Sequence, residues 1–324
     1  MNDLVLRLQQ NLGLLFAILI FVVLFGAFLA LHPRGLSVYV LTIAANGGAA
    51  LAFVAMGQTL VVLTGGLDLS VGAILALTNS LASVVVDGTP GEVALGILLV
   101  LATGIACGFV NGAIVVYGRL QPIIATLATG AMYTGVALFL RPVPGGSIHE
   151  GLSEALTYET FGLVPTALIL LAGSVLLIWL PFRHSVVGRG VYAIGSSEAA
   201  AYMSGVRVDR SRLAAFTLAG LFAALGGMFL GFQTLSGDAL TGLPYTLNSI
   251  AAVVIGGTSL YGGSGGVVGS ILGAYVLRTI NGVLFFTGAP ALAQPLFEGM
   301  ILLGAVALSA LRTVRVNNRL EVMD

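Results

Sequence analysis

The chain has 324 residues, 58% of them hydrophobic and only 8% charged, with a mean hydropathy of +1.06. Soluble domains carry about 25% charged residues, so this composition excludes a soluble globular protein and points to an integral membrane protein. Thirteen basic residues balance thirteen acidic ones, leaving no net charge to attract nucleic acid, and the lone Cys107 excludes both a disulfide and a cysteine-built metal site.

The first element follows Arg7. It is the apolar run 12–31, longer than the ~7–15 residues of a signal-peptide core, and is read as an uncleaved first span. A span needs about 20 apolar residues to cross ~30 Å of hydrocarbon. Nine further runs approach this: 40–63, 70–86, 93–117, 122–140, 164–181, 213–234, 247–261, 266–287 and 292–311. The third and eighth are short and glycine-rich, so broken or re-entrant forms are expected there. The fold class is therefore all-α: a polytopic membrane protein of about ten transmembrane helices, one transmembrane domain over 1–324.

With an even number of spans, both termini lie on one side. The arginines say which. Arg7, Arg119, Arg183, Arg189, Arg207, Arg210, Arg212, Arg312, Arg315 and Arg319 fall on the inside, whereas only Arg34 and Arg141 fall outside. Basic residues collect on cytoplasmic loops, so both termini are expected in the cytoplasm. The outer loops instead hold Asp87, Glu92, Glu150, Glu154, Glu159 and Asp238. The longest of them, 141–163, is acidic and available to a partner outside.

The two halves echo each other, about 40–140 against 210–311. At an offset of 170, Thr64, Asp68 and Gly72 match Thr234, Asp238 and Gly242, and Asn111, Gly112 and Gly118 match Asn281, Gly282 and Gly288. Over 51–118 there are 13 identities in 68 positions, where this composition alone gives about seven. The offset moves each element by five spans, an odd number, so the repeat is expected to be inverted. Inverted repeats place a substrate path at their interface. Shared glycine-mediated helix packing is the plainer explanation of the same identities.

Between the second and third spans stands Thr64-Gly-Gly-Leu-Asp-Leu-Ser-Val-Gly72. Paired glycines end the first helix, and Asp68 or Ser70 is placed to cap the next. Polar groups within spans are costly and default to function, which singles out Asn46, Gln58, Asn79, Asn111, Gln233 and Asn281 beside Asp68. Interhelical hydrogen bonding accounts equally well for any one of them. Arg278 and Glu298, at similar depth on neighbouring spans, are expected to form a structural ion pair. His32, His149 and His184 lie in separate loops, so no metal or other cofactor is expected.

A polar island, 182–212, interrupts the hydrophobic chain and carries five arginines. It is assigned to the cytoplasmic face. Within it Ser197–Ser204 suits a short helix capped by Ser196 or Ser197, with Glu198 favourable in its first turn. A second glycine-rich run, Gly256–Gly266, has no Lys-Ser/Thr ending, and the chain has no lysine at all. It is not a nucleotide-binding loop, and no ATP hydrolysis is expected here.

Four blocks in this order, GGLDLSVGA (65–73), QPIIATLAT (121–129), YAIGSSEAAAYMSGVRV (192–208) and LNSIAAVVIGGTSLYGGSGG (247–266), give the chain its resemblance to a family. It resembles the permease subunits of bacterial ABC sugar importers of the ribose type over nearly its whole length. It departs from them at Thr246 and Asn248, where acidic residues are common in the family.

The resemblance implies a multi-pass protein of the inner membrane working with a separate ABC ATPase, a periplasmic sugar-binding protein and a second permease copy or homologue. It implies that Ser197, Glu198, Ala199, Ala200, Ser204 and Gly205 dock into the ATPase, and that the buried amides lie along a sugar path. The same machine could carry branched-chain amino acids, nucleosides or a furanosyl signal. An ion-coupled secondary transporter is the alternative of another class; it wants titratable groups at the membrane midplane, where only Arg278 and Glu298 qualify.

Overall fold

The computed structural model describes residues 12–290 and seven further positions up to 304. In chain order the helices are α1 (Leu12–Leu31), α2 (Val38–Leu63), α3 (Val71–Val85), α4 (Pro90–Tyr117), α5 (Pro122–Leu140) and the short α6 (Glu150–Thr157). A two-stranded antiparallel hairpin, β1 (Glu159–Thr160) with β2 (Val164–Pro165), leads into α7 (Thr166–Ser174), a π turn at Val175–Trp179 and α8 (Leu180–His184). The rest are α9 (Val186–Ser196), α10 (Glu198–Met203), α11 (Val208–Thr234), α12 (Gly242–Ile255) and α13 (Val267–Phe286).

Among the described residues, seven helical rods are long and apolar enough to cross a membrane: Gly13–Leu31, α2, α4, α5, the continuous rod Thr166–His184, α11 and α13. The chain is thus a helical, multi-pass membrane protein. The third and eighth runs form the 15-residue α3 and the 14-residue α12. At 1.5 Å per residue, α3 rises about 22 Å, short of a ~30 Å hydrocarbon layer. The run expected over 247–261 starts earlier, at Gly242, and ends at Ile255. Beyond it Gly257, Gly262, Gly263 and Gly265 all take positive φ, between 71° and 121°, and the chain turns instead of coiling. The expected tenth span, 292–311, lies largely outside the described residues.

Local chemistry sets the helix ends. Thr89 and Glu92 form a capping box at the start of α4, with Pro90 at its first position. Pro122 opens α5 in the same way. Ser37 caps α2 by accepting from Val40 N–H at 3.3 Å.

At the centre lie α2 and α11, the two most enclosed rods, with α4, α3 and α13 around them. Tight packing is achieved with glycine and alanine, as expected where lipid supplies no hydrophobic drive between helices. A Cβ on Gly220 of α11 would stand 2.1 Å from the Gly104 carbonyl oxygen of α4 and 2.8 Å from the Gly108 nitrogen. These neighbours are backbone and have nowhere to go. Gly220→Val is therefore expected to force α4 and α11 apart and to cost at least the ~1–3 kcal/mol typical of overpacking. A thermal melt in detergent checks this; an unchanged midpoint would mean that the two helices slide past the insertion.

The acidic loop 141–163 is tied down at several points. Ser153 Oγ donates to the Phe232 carbonyl, Asn46 Nδ2 to the Thr157 carbonyl, and Arg141 to both the hydroxyl and the carbonyl of Ser83 at 2.8 and 2.6 Å. Its outward surface holds Glu150, Glu154 and Glu159, and Phe161 at the hairpin tip is 95% exposed.

Candidate functional site

The motif 64–72 is where α2 stops and α3 begins. Gly65 at φ 79° turns the chain, and the Thr64, Gly65 and Gly66 amides bond back to the carbonyls of Val61 and Val62. The chain then runs through Leu67–Ser70 inside the protein, with Asp68 fully buried. Asp68 Oδ1 accepts from Ser70 N at 2.8 Å and from Ser70 Oγ at 2.6 Å. Neither Asp68 nor Ser70 caps α3 with its side chain, contrary to the expectation from sequence. The Ser70 hydroxyl is committed to Asp68. Instead Thr246, on α12, accepts from the Gly72 amide at 3.2 Å and covers the start of α3 from outside.

Behind Asp68 a chain of hydrogen bonds runs across three elements. Asn111 Nδ2 on α4 donates to Ser70 Oγ at 2.7 Å, and Tyr133 OH on α5 lies 3.0 Å from both Asn111 Oδ1 and the Cys107 carbonyl. Thr126 Oγ1 accepts from Leu69 N–H at 2.9 Å, which fastens the other side of the segment to α5. The donors of the Tyr133–Asn111–Ser70 chain point toward the carboxyl group. Asp68 Oδ2 nevertheless has no hydrogen-bond partner among the described residues, and neither amide atom of the fully buried Gln58 has one. A buried polar atom left unpaired costs about 1–3 kcal/mol. An unpaired carboxyl oxygen in this motif, like the unpaired amide of Gln58 on α2, asks for a reason other than stability.

The other polar candidates separate into distinct places. Asn79 is spent on backbone: its Nδ2 donates to the Gly227 and Ser236 carbonyls, each at 3.3 Å, and its Oδ1 accepts from Asp238 N–H at 2.8 Å. It pins the turn after α11. Asn46 holds the acidic loop 141–163, while Gln233 and Asn281 are half-buried on α11 and α13. Of the sequence candidates, then, only Asp68 and Asn111 meet through a shared partner. Ser70, Thr126, Tyr133 and Thr246 complete the cluster and were missed, except that Ser70 lay within the motif and Thr246 marked a departure from the family pattern. Arg278 donates to Tyr245 OH at 3.2 Å and sits 5.7 Å from its ring centroid. Glu298, its expected partner, lies outside the described residues.

The two short helices touch at their first turns. A Cβ on Gly72 would stand 2.1 Å from the Gly242 carbonyl oxygen, and one on Gly242 would stand 2.3 Å from that of Gly72. Backbone meets backbone there.

The polar island is almost wholly helical: α9, then α10, then the first turn of α11. Ser197, not Ser196, caps α10, accepting from Ala200 N–H at 3.3 Å, while Ser196 Oγ donates to the Tyr192 carbonyl. Gly205 at φ 78° ends α10, and the Val206 amide reaches back to the Ala201 carbonyl at 3.0 Å. Ala201 is buried with Ile194 and Val208, whereas Tyr202 and Met203 are 75% and 80% exposed. Arg212, read from sequence as a topology determinant only, also pairs with Glu198 at 2.8 Å and ties α10 to α11. The island is seated firmly: a Cβ on Gly195 would lie 2.0 Å from the Leu63 carbonyl oxygen at the end of α2 and 2.3 Å from Gly263 N.

A bundle of lipid-length helices, broken by two short ones around a buried polar cluster and carrying a structured hydrophilic island, has the architecture of a transport permease. The chain belongs to the family described as "Branched-chain amino acid transport system / permease component", which matches residues 39–306. It is 36% identical over 308 residues to the ribose import permease RbsC of Bacillus subtilis, covering 93% of this chain and 92% of that one. It is 37% identical over 261 residues to RbsC of Escherichia coli K12, covering 79% and 80%. It is 35% identical over 305 residues to the autoinducer 2 import system permease LsrC of Salmonella typhi, covering 93% and 86%. No solved structure matches the chain at comparable stringency.

Proposed function

We propose that this chain is the membrane-spanning subunit of an ATP-driven importer that moves a monosaccharide across a bacterial inner membrane, with both termini in the cytoplasm. The observation that carries this reading is its similarity, along more than nine-tenths of its length, to a ribose import permease. ATP is hydrolysed by a separate ABC ATPase, since the chain has no lysine and so no nucleotide-binding loop. A periplasmic sugar-binding protein delivers the cargo from outside, the acidic loop around Phe161 being the surface offered to it. A second permease copy or homologue completes the passage.

The buried cluster is assigned to the sugar path. Amides, hydroxyls and one carboxylate offer donors and acceptors to a neutral polyol without holding it by charge. Asp68 and Asn111 are the central groups, with Gln58, Gln233 and Asn281 as further candidates along the path; Asn46 and Asn79 instead hold the loops beside it. In the conformation described, Asp68 is sealed, so the sugar reaches it only when α3 and α12 part.

An inverted repeat supplies the symmetry for such a motion. In its favour, α11 begins 170 residues after α2, and α12 covers the offset counterpart of α3. Asp68 and Asp238 each accept the amide two residues on at 2.8 Å, from Ser70 and Leu240. The island, with α10 at its tip, is the part that docks into the ATPase.

Reconstitution with the cognate ATPase and binding protein tests the whole reading: ATP-dependent uptake of a labelled pentose or hexose is expected. Two other cargoes have a specific observation behind them. The family description names branched-chain amino acids, and one relative imports autoinducer 2. Uptake of labelled leucine with no sugar uptake would move the chain to the first of these.

A further inference from the structure

Where the rod Thr166–His184 ends and α9 begins, a cavity of about 320 Å³ is lined by Arg183, His184, Arg189 and Tyr192. We propose that it is a binding site for the phosphate group of an anionic phospholipid. The reading rests on the island's place at the membrane edge and is independent of the cargo.

The charge in this cavity is unspent. The one salt bridge among the described residues joins Arg212 to Glu198, so neither Arg183 nor Arg189 has a carboxylate of those residues within ion-pair distance. Arg183 is held in position all the same. Its guanidinium carbon lies 5.9 Å from the centroid of the Tyr192 ring, and the Tyr192 hydroxyl donates to the Gly265 carbonyl at 3.1 Å. His184 Nδ1 meets the Leu180 carbonyl at 2.8 Å, so that nitrogen carries the proton and Nε2 remains for another partner. Ser185 Oγ caps α9 by accepting from the Gly188 amide, which brings the positive end of that helix to the same place. Two guanidiniums beside an imidazole, with no carboxylate of the described residues between them, suit a phosphate, which guanidinium binds through paired hydrogen bonds.

The apolar surroundings choose the source of that phosphate. The rod that delivers Arg183 and His184 is bare along most of its length. Leu168, Ile169, Leu176 and Leu177 are exposed, Leu177 to 79%, and Val186 just past the cavity is 77% exposed. A free anion has no use for such a surface, whereas the acyl chains of a lipid held at the cavity would lie along it. The π turn at Val175–Trp179, with Trp179 buried, sits one turn before the basic pair; such wide turns concentrate at functional sites. The tendency of arginine to mark the cytoplasmic side explains the sign of these charges. It does not explain why they surround a cavity with no counter-charge. Basic pockets at this level of a helical membrane protein are suited to lipid head groups.

The test uses the purified full-length chain in detergent, titrated with phosphatidylglycerol, phosphatidylcholine or inorganic phosphate and followed by native mass spectrometry and thermal shift. Phosphatidylglycerol is expected to bind and stabilise, and phosphatidylcholine to do so far less. The double variant Arg183→Gln/Arg189→Gln is expected to weaken phosphatidylglycerol roughly 25-fold, since each arginine near an anionic head group contributes roughly fivefold. Arg210→Gln, which removes an exposed arginine outside the cavity, is expected to bind as the parent does and controls for general loss of charge. A circular dichroism spectrum equal to the parent's shows that the double variant is folded. Equal phosphatidylglycerol binding by parent and double variant overturns the proposal. Saturation by inorganic phosphate at the same concentration overturns the lipid as source. Should the double variant keep the lipid and lose the ATPase, the cavity belongs to the protein interface and the proposal falls.

Discussion

Asp68→Asn is expected to leave the protein folded and to cut sugar uptake by roughly tenfold to a hundredfold. The size follows from leaving a buried polar group of the site without its partner, which costs about 1–3 kcal/mol. Asparagine keeps an oxygen where Oδ1 accepts from the Ser70 amide and hydroxyl, so the turn into α3 survives. What it loses is the second oxygen, the one without a partner, which becomes an N–H donor. Asp68→Leu is a different experiment. It also orphans the Ser70 amide, and both the melting midpoint and uptake should drop. If Asp68→Asn transports like the parent, Oδ2 plays no part in handling substrate, and Asp68 is a turn-forming residue only. Asn111→Leu offers an independent reading of the same cluster, because it removes the donor to Ser70 while leaving the carboxyl group in place.

Replacing Tyr202 and Met203 together by serine is expected to abolish ATPase co-purification and uptake while barely moving the thermal midpoint of the isolated chain. Both side chains are largely exposed, and surface substitutions away from caps and cores usually stay within about 0.5 kcal/mol. The buried side of the same helix behaves in the opposite way: Ala201→Asp should disturb the packing with Ile194 and Val208 and destabilise the chain itself. Glu198→Arg places two like charges together at Arg212, and the exchange Glu198→Arg with Arg212→Glu should recover much of the loss. The pair is partly exposed, so its worth to stability is at most about 1 kcal/mol. Normal ATPase assembly by the Tyr202/Met203 variant would remove α10 from the docking surface.

Much of this protein could be read from residue order because the bilayer restricts what a chain can do. Seven apolar runs became rods almost where they stand in the sequence, and the arginine-rich island fills the break between two of them, its ends, Arg183 on one side and Arg210 and Arg212 on the other, lying on the rods themselves. The paired glycines at 65 and 66 end a helix, and Ser197 caps the next short one, as local chemistry requires. The contents of the buried cluster were less legible. Tyr133 and Thr126 look like ordinary members of an aliphatic span, and their role depends on which face of α5 turns toward residue 68. Thr246 bonds to a residue 174 positions away, which no local pattern encodes. Asn79 illustrates the converse. A polar residue inside a span drew attention as a path residue, yet its amide is consumed by the backbone around Gly227, Ser236 and Asp238. Arg212 had been explained by topology, and only the folding of α10 back toward α11 gave it Glu198 as a partner.

The contact between Gly72 and Gly242 behaves as a latch without teeth. The two glycines meet backbone to backbone, and the side chain set against Gly72 is that of Thr246. The direct polar catches are the two made by Thr246, to the Gly72 amide at 3.2 Å and to the Leu69 carbonyl at 3.5 Å. Ordinary bonds of this kind are worth about 0.5–1.5 kcal/mol net. A joint held by bonds this weak suits the parting of α3 and α12 proposed above, and a methyl group on either glycine would meet the backbone of the other helix at 2.1–2.3 Å.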